Sequence, residues 1–151
     1  MTVNTIAQAE PVLVAIDIAK ARHEVLISVP GKKRRRRLTV LNQLEDFDRL
    51  IATLSDYNRP VRAAFEATGN YHRAFAYRLG IAGFEVKLVS SVALARTREA
   101  LNNSWDKNDP KDAQVILHMM QIGNEQFYHD PTLCGTNDFQ ELSKTHDIVS
   151  R

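Results

Sequence analysis

A chain of 151 residues, 44% hydrophobic and 25% charged, has enough apolar material for one buried core without a structural metal. Its one cysteine, Cys134, excludes an internal disulfide and fits a reducing cytosol. No apolar run approaches the ~20 residues of a membrane span. The net charge of +2 hides an asymmetry: Lys32, Lys33, Arg34, Arg35, Arg36 and Arg37 are consecutive, and the other 14 basic residues face 18 acidic ones, so cationic character is concentrated where a polyanion would bind locally.

Residues 1–11 read as a flexible leader ending at Pro11. They have neither the basic n-region nor the apolar h-region of a secretory signal, so the expected location is the cytoplasm, with no membrane partner. Val12 to Ile18 is an apolar strand interrupted by Asp17. His23 to Val29 is a second strand, with Pro30-Gly31 as the turn after it. The basic run then leads into a third strand at Leu38 to Leu41, giving an antiparallel meander. The period changes at Leu44, Phe47, Leu50, Ile51 and Leu54, whose spacing predicts an amphipathic helix over 43–56. Val61 to Phe65 is a short strand delivering Glu66 at its end. A helix from Tyr71 to Leu79, a strand from Phe84 to Val89, and helices over 91–102 and 110–122 follow. The order β-β-β-α-β-α-β-α-α is that of the ribonuclease-H-like α/β fold, with a mixed sheet. Actin-like ATPase and sugar-kinase halves share this order, but no Gly-rich phosphate loop is present here. After Pro131, Asn137 or Asp138 is placed to cap a further helix, so 131–151 is expected to be a linker and the start of a longer, truncated helix.

Four acids stand out. Asp17 ends a strand that should be largely buried, where an ionised carboxylate is costly unless paired or bound to a cation; the plainer reading is a strand-end Asp bonded into the next turn. Glu66 repeats the pattern before a Gly-containing loop, the place where α/β sheets put functional groups; the plainer reading is an ion pair with Arg62 or Lys87. In Asp109-Pro110-Lys111-Asp112, an N-cap, a proline at N1 and an acid at N3 account for the residue types as a helix start. Yet acids three apart share one helix face, where both can reach one cation. Oxygen ligands of this kind select Mg²⁺ or Mn²⁺, and two such ions serve phosphoryl transfer. His23, His118, His129 and His146 show no metal-ligand spacing. Tyr71 and His72 are either base-stacking residues or a helix start packed on the sheet, and Trp105 reads as a core anchor.

The segments Ala15-Ile16-Asp17-Ile18-Ala19-Lys20, Phe65-Glu66-Ala67-Thr68-Gly69-Asn70-Tyr71 and Lys107-Asn108-Asp109-Pro110-Lys111-Asp112-Ala113 together resemble the three signature blocks of the DEDD insertion-sequence transposases. That group includes Piv-type DNA invertases and bridge-RNA-guided recombinases. The resemblance implies a RuvC-like domain over 12–130 with Asp17, Glu66, Asp109 and Asp112 as catalytic and metal-binding tetrad, and Mg²⁺ or Mn²⁺ as cofactor. It implies DNA as partner, with a guide RNA as a second candidate, and a homo-oligomer in the full-length protein. It further implies a serine nucleophile in a C-terminal domain beyond this chain. Ser90-Ser91 departs from the Asn-Pro of many relatives. Lys32 to Arg37, Lys107 and Lys111 are the candidate nucleic-acid contacts, against a reading of the run as an edge that blocks aggregation; Arg96 and Arg98 either extend that surface with the two lysines or are ordinary helix-face charges. Two other functions stay open from the residues: a stand-alone RuvC-like nuclease, and a non-catalytic nucleic-acid-binding or assembly module.

Overall fold

Strands buried on both faces are written as unbroken apolar runs, and strands with one wet face alternate. The strand over Val12–Asp17 (β1) is of the first kind, with Val12, Val14, Ala15 and Ile16 all buried. It lies in the interior of a six-stranded sheet in a computed structural model that describes residues 9–66, 71–101 and 109–123 and the backbone of 126–127. β2 (Arg22–Ser28) pairs antiparallel with β1, and β3 (Arg36–Leu41) antiparallel with β2. β4 (Val61–Glu66) runs parallel to β1 on its other side, β5 (Glu85–Val89) parallel to β4, and the two-residue β6 (Gln126–Phe127) closes that edge antiparallel. The spatial order is β3-β2-β1-β4-β5-β6. This bears out the expected meander followed by α/β units. β6 was not expected, since two residues carry no readable period.

The first turn is the one that Pro30-Gly31 predicts. Lys32 N–H donates to the Val29 carbonyl at 3.0 Å and Gly31 takes φ 86°, the left-handed position that a type II turn reserves for glycine. The third strand begins earlier than expected, at Arg36 rather than Leu38. Arg36 and Arg37 therefore belong to the edge strand, and Lys32 to Arg35 to the exposed hairpin.

Helices cover both faces. α1 (Leu44–Ser55) and α2 (Arg73–Ile81) lie on one, where Phe47, Leu50, Leu54, Phe75 and Leu79 meet Val12, Val14, Ile16, Val25 and Ile27. Leu44, expected on the apolar stripe, is 54% exposed: the first helical residue lies ahead of the contact. Arg78 and Asp48 tie the two helices at 2.5 Å. α3 (Ser91–Ala100) and α4 (Lys111–Gln121) cover the other face, packing Leu94, Ala113, Ile116, Leu117 and Met120 on Ala15, Leu26, Ala64 and Val89. Ser90 caps α3, its Oγ accepting from Ala93 N–H at 2.9 Å, so the departure at Ser90-Ser91 still supplies a good helix start.

The Phe47 and Phe75 rings are nearly parallel, centroids 4.6 Å apart, and both are buried at the join of two helices and the sheet. Phe75→Ala is expected to cost about 3–5 kcal/mol in urea denaturation; a loss below about 1 kcal/mol would show that the α2 contact does not hold this face together.

Candidate metal and nucleic-acid site

Strand register decides which acids meet. Asp17 is the last residue of β1 and lies directly opposite Glu24 on β2. The parallel pairing of Val12–Ile16 with Val61–Phe65 puts Glu66 next in step beside Asp17. Glu24 in turn faces Thr39 on β3. Glu66, Asp17, Glu24 and Thr39 thus form one row across four strands, each about 4.8 Å from the next. Alternation turns the row to the face of Leu13, Ala15 and Ala64, the face covered by α3 and α4.

α4 packs antiparallel to β1, with Met120 and Gln121 beside Pro11 and Leu13 and its N-terminus over the acid row. This brings Asp112 to Asp17. Burial, then the negative charges of Asp112, Glu24 and Glu66, push the Asp17 carboxyl up from 3.8 to about 6, while Arg98 opposes them. Arg98 Nη2 donates to Asp112 Oδ1 at 2.6 Å.

Of the four candidate acids, Glu66 and Asp112 therefore lie near enough to act on Asp17, and Asp109 is not among the charges that do. The helix start differs from the one expected: Pro110, at φ −59° and ψ 131°, stands at the cap position with no side-chain cap bond, and Lys111 is the first helical residue. The extended ψ of Pro110 delays the helix by one residue, so Asp109 is neither N-cap nor on a shared helix face with Asp112. Its backbone carbonyl accepts from Gln114 Nε2 at 3.0 Å, and its charge is not among those acting on Asp17. Among the described residues no three His, Cys, Asp or Glu side chains stand close enough to hold an ion as placed. The chemistry of the donors nonetheless fits one: the group is all carboxylate oxygen, and a partly buried member is destabilised by like charges that a hard divalent cation would neutralise.

Glu24 was not foreseen near the acids, and Arg98 was expected only as a basic helix-face residue, not as a partner of Asp112. Glu24 accepts from Thr39 Oγ1 at 3.1 Å and lies 4.0 Å from Arg37 Nε; alternation and the short β1–β2 turn carried the signal for it. Arg98 needed the packing of α3 on α4, which no local pattern reveals. The pairing of Glu66 with Arg62 expected on the plainer reading is displaced, since Arg62 Nε bonds Glu85 Oε1 at 2.7 Å. His23 proves structural. It is wholly buried, stacked on Phe75, and its Nδ1 accepts from Ala19 N–H at 3.1 Å. Asn42 Nδ2 donates to the Lys20 carbonyl and Asn42 N–H to that of Ala21, so the turn after Asp17 is pinned from the opposite face. His72 is buried against Phe65, whereas Tyr71 is 45% exposed. Of the cationic candidates, Lys32 to Arg37 are exposed, and Lys111 lines a groove beside the acids with Arg96 and Arg98. Lys107, Trp105, His129, His146 and the 131–151 segment lie outside the described residues.

A family model for transposases of the DEDD, IS110 type matches residues 14–147. The chain belongs to this DEDD transposase family. No curated protein matches it in sequence. Among solved structures, T. thermophilus RuvC in complex with a Holliday junction substrate is similar at TM-score 0.54 and 13% identity, covering 79% of this chain and 100% of that one. A second Thermus thermophilus RuvC structure is similar at TM-score 0.51 and 14% identity, covering 78% and 99%. At such identities the likeness establishes the RuvC-like fold of this DEDD transposase domain, and its strand order is consistent with it. No helix of the described residues is long and apolar enough to cross a membrane.

Because the folded Asp17 carboxyl titrates near 6 rather than 3.8, its protonation favours the folded state at low pH, and that contribution is lost as pH rises through about 6. In EDTA, Asp17→Asn is expected to stabilise the domain by roughly 1–2 kcal/mol at pH 7.5, discounted for partial solvent contact, and by much less at pH 4. Denaturant melts at the two pH values check this. Equal increments at both would mean that Asp17 is not held among like charges.

Proposed function

We propose that this DEDD transposase domain supplies the acidic, Mg²⁺- or Mn²⁺-binding half of an active site for DNA strand cleavage and exchange. One observation carries the reading: Asp17 lies in register with Glu66, beneath Asp112, with its carboxyl raised to about 6 by burial and by these neighbours. Asp17, Glu66 and Asp112 would hold the cation, and Asp109 is assigned to the same set by family resemblance. A bound cation polarises a phosphoryl oxygen and stabilises the charge of the leaving oxygen. The chain's own residues orient the strand. The N-terminus of α4 offers backbone N–H groups to a phosphate, Lys111 and the Lys32–Arg37 arm offer cations, and Lys107 is assigned the same part from sequence. By family resemblance, the nucleophile is a serine of a C-terminal domain, a guide RNA is a candidate second partner, and the full-length protein is an oligomer working in the cytoplasm.

Mn²⁺ titration calorimetry in the presence of duplex DNA tests the site. Binding is expected for the wild-type chain and a loss of at least about tenfold in affinity for Asp17→Asn or Glu66→Gln, since each removes a charged ligand worth about 1.5–3 kcal/mol. Unchanged affinity in both variants would remove the acids from any metal site.

A stand-alone junction nuclease is the second reading, prompted by the RuvC neighbour solved with a Holliday junction. The two part on one assay. If the nucleophile is external, this chain with Mg²⁺ leaves junction DNA intact; cleavage that Asp17→Asn abolishes would favour the nuclease.

A further inference from the structure

Arg98 is the cation that the acid site already has. Its guanidinium bonds Asp112 at 2.6 Å, yet neither side chain is locked in: they are 38% and 39% exposed. It projects from α3, whose own outer face, with the start of α4, forms a groove of about 780 Å³ lined, among the described residues, by Ser91, Arg96, Arg98, Lys111 and one acid, Glu99. The same guanidinium therefore borders two environments, a carboxylate cluster on one side and a groove with two further cations on the other.

A divalent cation bound by Asp112 would take lone pairs that Arg98 now uses, and two cations a few ångströms apart repel each other. Arg98 must then let go, and the groove offers the alternative. Arg96 and Lys111 make it attractive to an anion, and a guanidinium fork matches the two free oxygens of a phosphodiester. We propose that Arg98 is a displaceable counter-ion, held by Asp112 while the site lacks a divalent cation and transferred to a nucleic-acid phosphodiester in the α3–α4 groove as the cation binds. Metal and strand then reinforce each other's binding, because the strand draws Arg98 off Asp112 and the cation frees Arg98 for the strand. The idea rests on the metal-site reading above.

The test is Mn²⁺ titration calorimetry on the full chain, Arg98→Gln and Arg96→Gln, each with and without a short single-stranded DNA oligonucleotide. Without DNA, Arg98→Gln should bind Mn²⁺ about tenfold more tightly than wild type, the equivalent of one charged hydrogen bond. Arg96→Gln removes the same charge from the same helix and should change affinity less than about threefold. The oligonucleotide should tighten Mn²⁺ binding about fivefold or more in wild type, and that coupling should vanish in Arg98→Gln. Equal Mn²⁺ affinity in wild type and Arg98→Gln overturns the counter-ion role while leaving the metal site standing. Equal DNA enhancement in both overturns the transfer to phosphate. If no form binds Mn²⁺, with or without DNA, the metal reading itself fails and the counter-ion role with it. Arg98→Lys, which keeps the charge but loses the fork, should shift affinity in the same direction by less and serves if the glutamine variant does not fold.

Discussion

Asp17 ends a strand whose two faces are both occupied by apolar side chains. Water is thus limited on either side, and the strands flanking it in register contribute carboxylates rather than cations. Folding brings Glu24, Glu66 and Asp112 around a group that would have been better placed alone in solvent. Such a concentration of like charge opposes the folded state and persists where a function needs it. Arg98 is the partial remedy within the chain, and it is attached to Asp112 rather than to Asp17 itself.

The direction of α4 follows from the same sheet. Its apolar stripe, Ala113 to Met120, is long enough to cover β1, β2 and β4, and it is laid down antiparallel to β1. The positive end of its dipole consequently stands over the carboxyl ends of the parallel pair β1 and β4, where open α/β sheets place their chemistry. A helix N-terminus there puts a positive partial charge beside the Asp112 carboxylate. The sheet's other face does different work. Stacked Phe47, Phe75 and His23 form an aromatic layer, and His23 with Asn42 fastens the turn that follows Asp17. The acid row is thus anchored from behind, and on its other side Arg98, bonded to Asp112, also lines the α3–α4 groove.

The cationic hairpin joins the end of β2 to the start of β3, beside the N-terminal end of β1 and so away from the acids, and β3 leads back toward them. Arg37, at the start of that edge strand, faces the acid side and lies near Glu24, so the arm and the acid row are ends of one surface.

Periodicity alone marked out the meander, the α/β units and the strand positions of Asp17 and Glu66, because burial on both faces of β1 and β4 writes itself as unbroken apolar runs. It marked the Pro30-Gly31 turn for the same local reason: one residue had to take a positive φ. Where reading failed, the deciding contact was distant. Asp109 matched every rule for a helix cap, yet the backbone at Pro110 starts the helix one residue later. Glu24 looked like an ordinary strand acid until pairing set it opposite Asp17. Arg98 was one of several helix cations until α3 settled beside α4. The sequence by itself determined the elements and two of the acids, since those follow from neighbours along the chain. Which charges meet at Asp17, and which cation stands among them, was decided only by sheet register and helix packing, which join residues far apart along the chain.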